Sequence, residues 1–120
     1  MTRDARRRAE HRGQWGERVA AWLLRLKGYR ILARQDRGPM GEIDIIAARG
    51  NTLVFVEVKS RPTYAQALDA VSAAQQGRIQ RAFEHYVATH PAAQNMTWRF
   101  DIVAVIPRKW PRHLVDAWRP

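Results

Sequence analysis

The sequence predicts a mixed α/β (α+β) domain, a central sheet packed by helices, and three observations carry that prediction. Hydrophobic periodicity alternates between helical and strand spacing in the order helix, strand, strand, strand, helix, strand. A Gly50-Asn51 pair between two β-rich runs marks a tight hairpin. A helical stretch then separates the third strand from the fourth, which asks for a parallel pair joined by a right-handed crossover. With 120 residues and 46% hydrophobic content, the chain is long enough for one domain with its own core.

Residues 1–12 hold Arg3, Arg6, Arg7, Arg8 and Arg12 with almost nothing apolar, and read as a flexible basic arm. Such an arm is either a solvated tail or a phosphate-binding one. From Gln14 to Lys27 the pattern turns helical: Trp15, Val19, Trp22, Leu23 and Leu26 fall on one stripe, and Gly28 stands where a C-terminal cap belongs. Tyr29 to Ala33 reads as a strand, closed by the turn signal Arg37-Gly38-Pro39. The hairpin strands follow within Gly41–Arg61, and Pro62 ends the second. A second helix spans roughly Ser72 to His90, with Ile79, Ala82, Phe83, Tyr86 and Val87 as its apolar face, until Pro91 stops it. Trp98 to Ile106 alternates as the last strand. The single domain therefore covers 13–107, and 108–120 is a C-terminal tail with no element assigned.

Composition removes whole classes of chemistry. The chain has no cysteine, which excludes disulfides, thiolate catalysis and cysteine-ligated zinc or iron–sulfur clusters. Its two serines, Ser60 and Ser72, make a serine nucleophile a poor expectation. No apolar run nears the ~20 residues needed to span a bilayer, and no apolar signal region follows the basic N-terminus, so the expected location is the cytoplasm. Lys and Arg outnumber Asp and Glu by 21 to 11, giving a net charge of +10 and nominating a polyanion, nucleic acid first. All but Lys27, Lys59 and Lys109 of these cations are arginines, a bias that genome composition also produces.

The hairpin carries the chemistry. With Gly50-Asn51 as its loop, Asp44 lies opposite Glu57, and Glu42 opposite Lys59, all on one face with Ile46, Ala48, Leu53 and Phe55. The other face, Ile43, Ile45, Ala47, Val54, Val56 and Val58, is core. Opposed carboxylates with Cβ atoms ~5 Å apart destabilise a sheet. Either one holds a proton or a divalent cation sits between them. Without Cys or a nearby His, oxygen ligands point to Mg²⁺ or Mn²⁺, held by Asp44, Glu57 and a backbone carbonyl such as that of Val58. Lys59, two residues on, is placed to orient an attacking water. The competing reading is a solvated salt-bridge cluster in which Lys59 pairs with Glu42.

The run GEIDII…LVFVEVKSR, with a helical Gly13-x-x-Gly16-Glu17 before it and Arg99-Phe100-Asp101-Ile102-Val103-Ala104-Val105 after it, resembles the YraN family of small bacterial proteins. That family is regarded as predicted endonucleases of the PD-(D/E)xK superfamily, similar to archaeal Holliday-junction resolvases. The resemblance implies a restriction-endonuclease-like fold, metal binding by Asp44 and Glu57, Lys59 as the catalytic lysine and Glu17 as a helix carboxylate facing them. Glu17 falls about 160° from the tryptophan stripe, beside a smaller apolar strip of Ala20, Ala21 and Leu24. An exposed helix-start Glu, favourable to the macrodipole, is the plain alternative. Family members commonly carry Lys-Gln-Arg-Arg-Leu where this chain has Gln75-Gln76-Gly77-Arg78-Ile79; Gln76 and Arg78 match, and Gln75 replaces the lysine.

Arg34, Arg61, Gln76 and Arg78 are the expected nucleic-acid contacts, although any surface arginine shares that chemistry. Asp101 shares a strand face with Arg99 and reads as a structural ion pair. His11, His85, His90 and His113 show no metal-ligand spacing and read as surface residues. Trp98, Trp110 and Trp118 stack on bases or pack the strand and tail. The expected activity is a Mg²⁺-dependent endonuclease acting on DNA, branched or otherwise structured. The rivals are a nucleic-acid-binding protein that keeps the fold without the chemistry, and an interaction module whose charge is compositional. Likeness to the resolvases also implies a homodimer, for which the sequence marks no surface.

Overall fold

The computed structural model describes residues 2–119, the side chains of 5–12 excepted. Five strands form one sheet in chain order: β1 (Arg30–Gly38), β2 (Gly41–Arg49), β3 (Thr52–Ser60), β4 (Thr97–Val105) and β5 (Arg112–Trp118). The first three make the expected antiparallel meander, and β3 pairs with β4 in parallel from Thr52↔Thr97 to Ser60↔Val105. Helix α1 (Arg3–Leu26) covers one face; α2 (Tyr64–Asp69) and α3 (Ala73–Thr89) cover the other. Thr63 and Ser72 cap α2 and α3, their hydroxyls accepting from Gln66 N and Gln75 N.

Both sheet faces are buried. On the α3 side, Ile46, Leu53, Phe55 and Phe100 pack with Ile79, Phe83 and Tyr86. On the α1 side, Ile45, Val54, Val56 and Val103 pack with Ala20, Ala21, Leu23 and Leu24. Ile43 joins the α3-side cluster although strand parity groups it with Ile45, so the alternation of β2 breaks between them, at Asp44.

Three expectations are corrected. Of the expected stripe, Trp15, Trp22 and Leu26 are exposed and Leu23 is buried, and the helix is seated on Leu23 and the smaller strip of Ala20, Ala21 and Leu24. Small residues let two backbones approach, whereas tryptophans would hold the helix off the sheet. A Cβ at Gly16 would collide with Ser60 Oγ, which shows how closely α1 lies on β3. Second, α1 begins at Arg3, so residues expected as an arm are here its first turns. Third, the tail supplies β5, antiparallel to β4; a register shift opposite Phe100 and Ile102, with Asp116 at φ 56°, interrupts the alternation by which it would have been recognised.

Candidate functional site

The site lies where two strands part. The β2–β3 ladder runs in the expected register from Arg49↔Thr52 to Ile45↔Val56 and stops there. Beyond it β2 stays with β1, through Glu42↔Arg37, while β3 stays with β4, through Glu57↔Ile102 and Lys59↔Ala104. Asp44 and Glu57 therefore flank a fork and are not opposed rungs. Glu42 lies 3.8 Å from Arg37 and Lys59 pairs with Glu57, so the Lys59–Glu42 pair of the competing reading does not form.

Asp44 reaches across the fork, its Oδ2 accepting from Val58 N at 2.8 Å. Glu57 is 3% exposed; its Oε2 accepts from Gln75 Nε2 at 3.0 Å and lies 3.9 Å from Lys59 Nζ. Burial raises the Asp44 carboxyl above its ordinary value, against the Val58 hydrogen bond and the Lys59 charge. Burial and the neighbouring Asp44 push Glu57 up to about 8. The two carboxyl groups are close enough that the charge of Asp44 raises Glu57, which favours a proton on Glu57 when no cation is present. Both remedies foreseen for adjacent carboxylates thus address the same pair: the raised Glu57 carboxyl favours a proton, and a cation would take its place.

Glu17 is buried, near enough to Asp44 for its charge to raise that carboxyl, and is paired with Arg34 Nε at 3.1 Å. Among the described residues no three His, Asp or Glu side chains converge on one point. Arg34 is held by Glu17, and the two line a cleft of about 370 Å³ with Gln14 and Arg18. Lys59 and Arg61 line a larger groove on the α1 side, and Arg61 Nη1 donates to Ser60 O. Gln76 donates to the Val71 carbonyl at 3.4 Å, and Arg78 is exposed on α3. Gln75, singled out in the sequence only as a replaced lysine, is the α3 residue that touches Glu57. Its signal was its place, three residues after the Ser72 cap.

A second charged cluster lies on the α1 side. Asp101 is fully buried, with Arg99 donating to both its carboxylate oxygens at 2.9 and 2.8 Å, as its strand parity implied. Its other partners were not expected: His113 Nε2 donates to Oδ2 at 2.6 Å and Asp116 N to Oδ1 at 2.9 Å. Burial raises this carboxyl, yet the hydrogen bonds from His113, Arg99 and Asp116 hold it below its ordinary value. The His113 side chain is 2% exposed, a correction to its surface placement; His85 and His90 are exposed, and the side chain of His11 lies outside those described. Lys27 Nζ donates to His113 Nδ1, and Arg99 Nη2 to the Tyr29 hydroxyl. The cluster ties β4, β5 and the end of α1 together.

A family model described as "Uncharacterised protein family UPF0102" matches residues 16–105, an interval that holds Glu17, Asp44, Glu57, Lys59 and Asp101. Curated relatives described as UPF0102 proteins are similar over nearly the whole chain. One from Chelativorans sp. (strain BNC1) is 48% identical over 116 residues, 97% of this chain and 94% of its own length. One from Maricaulis maris (strain MCS10) is 49% identical over 121 residues, covering 100% and 94%. A third, from Rhizobium etli (strain CIAT 652), is 52% identical over 112 residues, covering 93% and 92%.

Proposed function

The chain belongs to the UPF0102 family, and from that premise we propose that it is a divalent-metal-dependent endonuclease acting on DNA, a PD-(D/E)xK enzyme with Asp44, Glu57 and Lys59 as its motif. The observation that carries the reading is the pairing of half-buried Asp44 with buried Glu57 beside Lys59, in a chain of net charge +10. A buried and a half-buried carboxyl group side by side at a strand fork cost folding energy. Such an arrangement is characteristic of a functional site.

The residues present suit a hard cation. Mg²⁺ keeps several waters and needs only one or two carboxylates from the protein, so Asp44 and Glu57, with a carbonyl such as that of Val58, make an adequate set. When bound, Mg²⁺ or Mn²⁺ supplies stabilisation of the charge that develops on a phosphate oxygen. Lys59, its side chain 15% exposed, holds an ammonium beside that carboxylate to position a water or receive negative charge. Arg61 offers its guanidinium to the phosphate backbone nearby. Glu17, paired with Arg34, adds negative potential at Asp44. No helix among the described residues is long and apolar enough to cross a membrane, and the reading places the enzyme with DNA in the cytoplasm, as a homodimer where the substrate is a two-fold junction.

Incubation of duplex, flap and four-way-junction DNA with Mg²⁺ or Mn²⁺ tests the reading. The wild type should cleave at least one substrate, and Lys59→Ala should reduce the rate about a hundredfold or more. A wild type that binds every substrate and cleaves none refutes it. That outcome favours the second reading, a non-catalytic DNA-binding protein, for which two contacts speak: Gln75 and Lys59 both engage Glu57 Oε2, in the carboxylate a cation would need.

A further inference from the structure

Helix α1 turns its heaviest apolar residues away from the sheet. Trp15 is 64% exposed and Trp22 45%; Trp110, between β4 and β5, is 67% exposed and meets Trp22 edge to face at 5.3 Å. Beside this shelf a groove of about 1040 Å³ runs between Trp15 and Val19 on one side and residues 105–109 on the other. Lys59 and Arg61 line it at the β3 end, Arg108 and Lys109 at the other, and its lining contains no carboxylate.

A single exposed aromatic needs no explanation, but a row of them along a cationic groove does. A second copy of the chain would meet this surface with like charges, Lys59 and Arg61 against their own equivalents, which opposes association. A polyanion has the complementary charge. Within that class, the faces of bases in an intact duplex are already stacked on one another and closed to tryptophan. Unpaired nucleotides offer both a phosphate chain and free base faces.

We propose that the Trp15–Trp22–Trp110 shelf and the adjoining groove bind unpaired nucleotides of a DNA strand, bases on the indoles and phosphates on the groove cations. The proposal rests on the endonuclease reading in two respects, that the strand is DNA and that Lys59 marks the end of the groove where the scissile phosphate lies. The substrate class then narrows to DNA with a single-stranded portion next to the cleaved bond: a fork, flap, gap or loop.

The test is binding by the full chain in EDTA, so that no cleavage intervenes. Fluorescence anisotropy compares labelled oligothymidylate of about twelve residues, a blunt duplex of equal length and oligouridylate, at fixed salt. Oligothymidylate should bind about tenfold more tightly than the duplex and quench tryptophan fluorescence. Trp15→Ala and Trp110→Ala, both at exposed side chains and each checked by circular dichroism, should each weaken oligothymidylate about tenfold and leave duplex binding nearly unchanged. Equal losses for both DNAs, or none, would overturn the proposal, as would tighter binding of oligouridylate. Sedimentation showing a dimer that Trp15→Ala dissolves, with strand binding unaltered, would make the shelf an interface between copies and overturn it too. Cleavage that ignores the tryptophans fails this proposal and keeps the nuclease reading. Tryptophan-dependent strand binding without cleavage in Mn²⁺ does the reverse.

Discussion

Replacing Glu57 by glutamine separates the energetic cost of the site from its use. In the folded chain the Glu57 carboxyl is pushed from its ordinary 4.5 to about 8 by burial and by Asp44. At 1.36 kcal/mol per pH unit, ionising it in place costs about 5 kcal/mol more than in the unfolded chain. Between pH 4.5 and about 8 the folded state keeps a proton that the unfolded state has released, so stability falls as pH rises through that window. At pH 7 the loss is about 3 kcal/mol. The substituted amide carries no charge and can accept from Gln75 as the native carboxyl does. Urea denaturation in EDTA from pH 4.5 to 8 measures the difference. Glu57→Gln should match the wild type closely at pH 4.5 and exceed it by about 3 kcal/mol at pH 7, while losing any cleavage activity. Mn²⁺ should narrow the gap, because a cation bound to the native wild type raises its stability by mass action. A gap that stays constant with pH would refute the argument that Glu57 is held protonated.

Asp101→Asn should destabilise by about 3–5 kcal/mol, since Arg99 would lose a buried counter-charge and an amide nitrogen would replace one of the two oxygens that accept from Arg99, His113 and Asp116. The wild type should lose this contribution as pH falls below 3.8, the ordinary value beneath which Asp101 is held, and the variant should show no such loss in acid denaturation followed by circular dichroism. Gly16→Ala alone should be close to neutral or mildly destabilising, because Ser60 must turn away. In a Ser60→Ala background the same change should gain up to about 1 kcal/mol from helix propensity; absence of this coupling in thermal melts would count against the close α1–β3 approach. Trp118 stacks on Phe100 at 5.3 Å, with its Nε1 buried and unpartnered. Trp118→Phe should keep the stacking and remove the unsatisfied donor, leaving stability equal or higher by about 1 kcal/mol. A drop of more than about 2 kcal/mol in urea would show that ring area outweighs it.

Much of this was legible in the residues because local rules governed it. Gly50-Asn51 set the hairpin register, and the helix between β3 and β4 required their parallel pairing. Asp44, Glu57 and Lys59 drew notice because like charges on apolar strands are costly. The fork escaped notice because periodicity extrapolates a ladder that tertiary packing ends at Ile45↔Val56. The outward face of α1 escaped because hydrophobic scales weigh tryptophan above alanine, whereas the sheet selects for closeness. His113 escaped because its partner, Asp101, comes from a strand paired through an irregular register.

The rungs of the parallel β3–β4 pair join residues roughly 45 positions apart, and they are the sheet's longest loop closures. During synthesis the β1–β3 meander emerges first and waits, with one edge of the apolar strand Leu53–Val58 uncovered, until β4 follows. An open edge of that kind invites pairing with other chains. The acid and the base near the end of β3, Glu57 and Lys59, are the residues that discourage such pairing. Variants that neutralise both would therefore risk aggregation in the nascent chain as well as loss of activity in the finished protein.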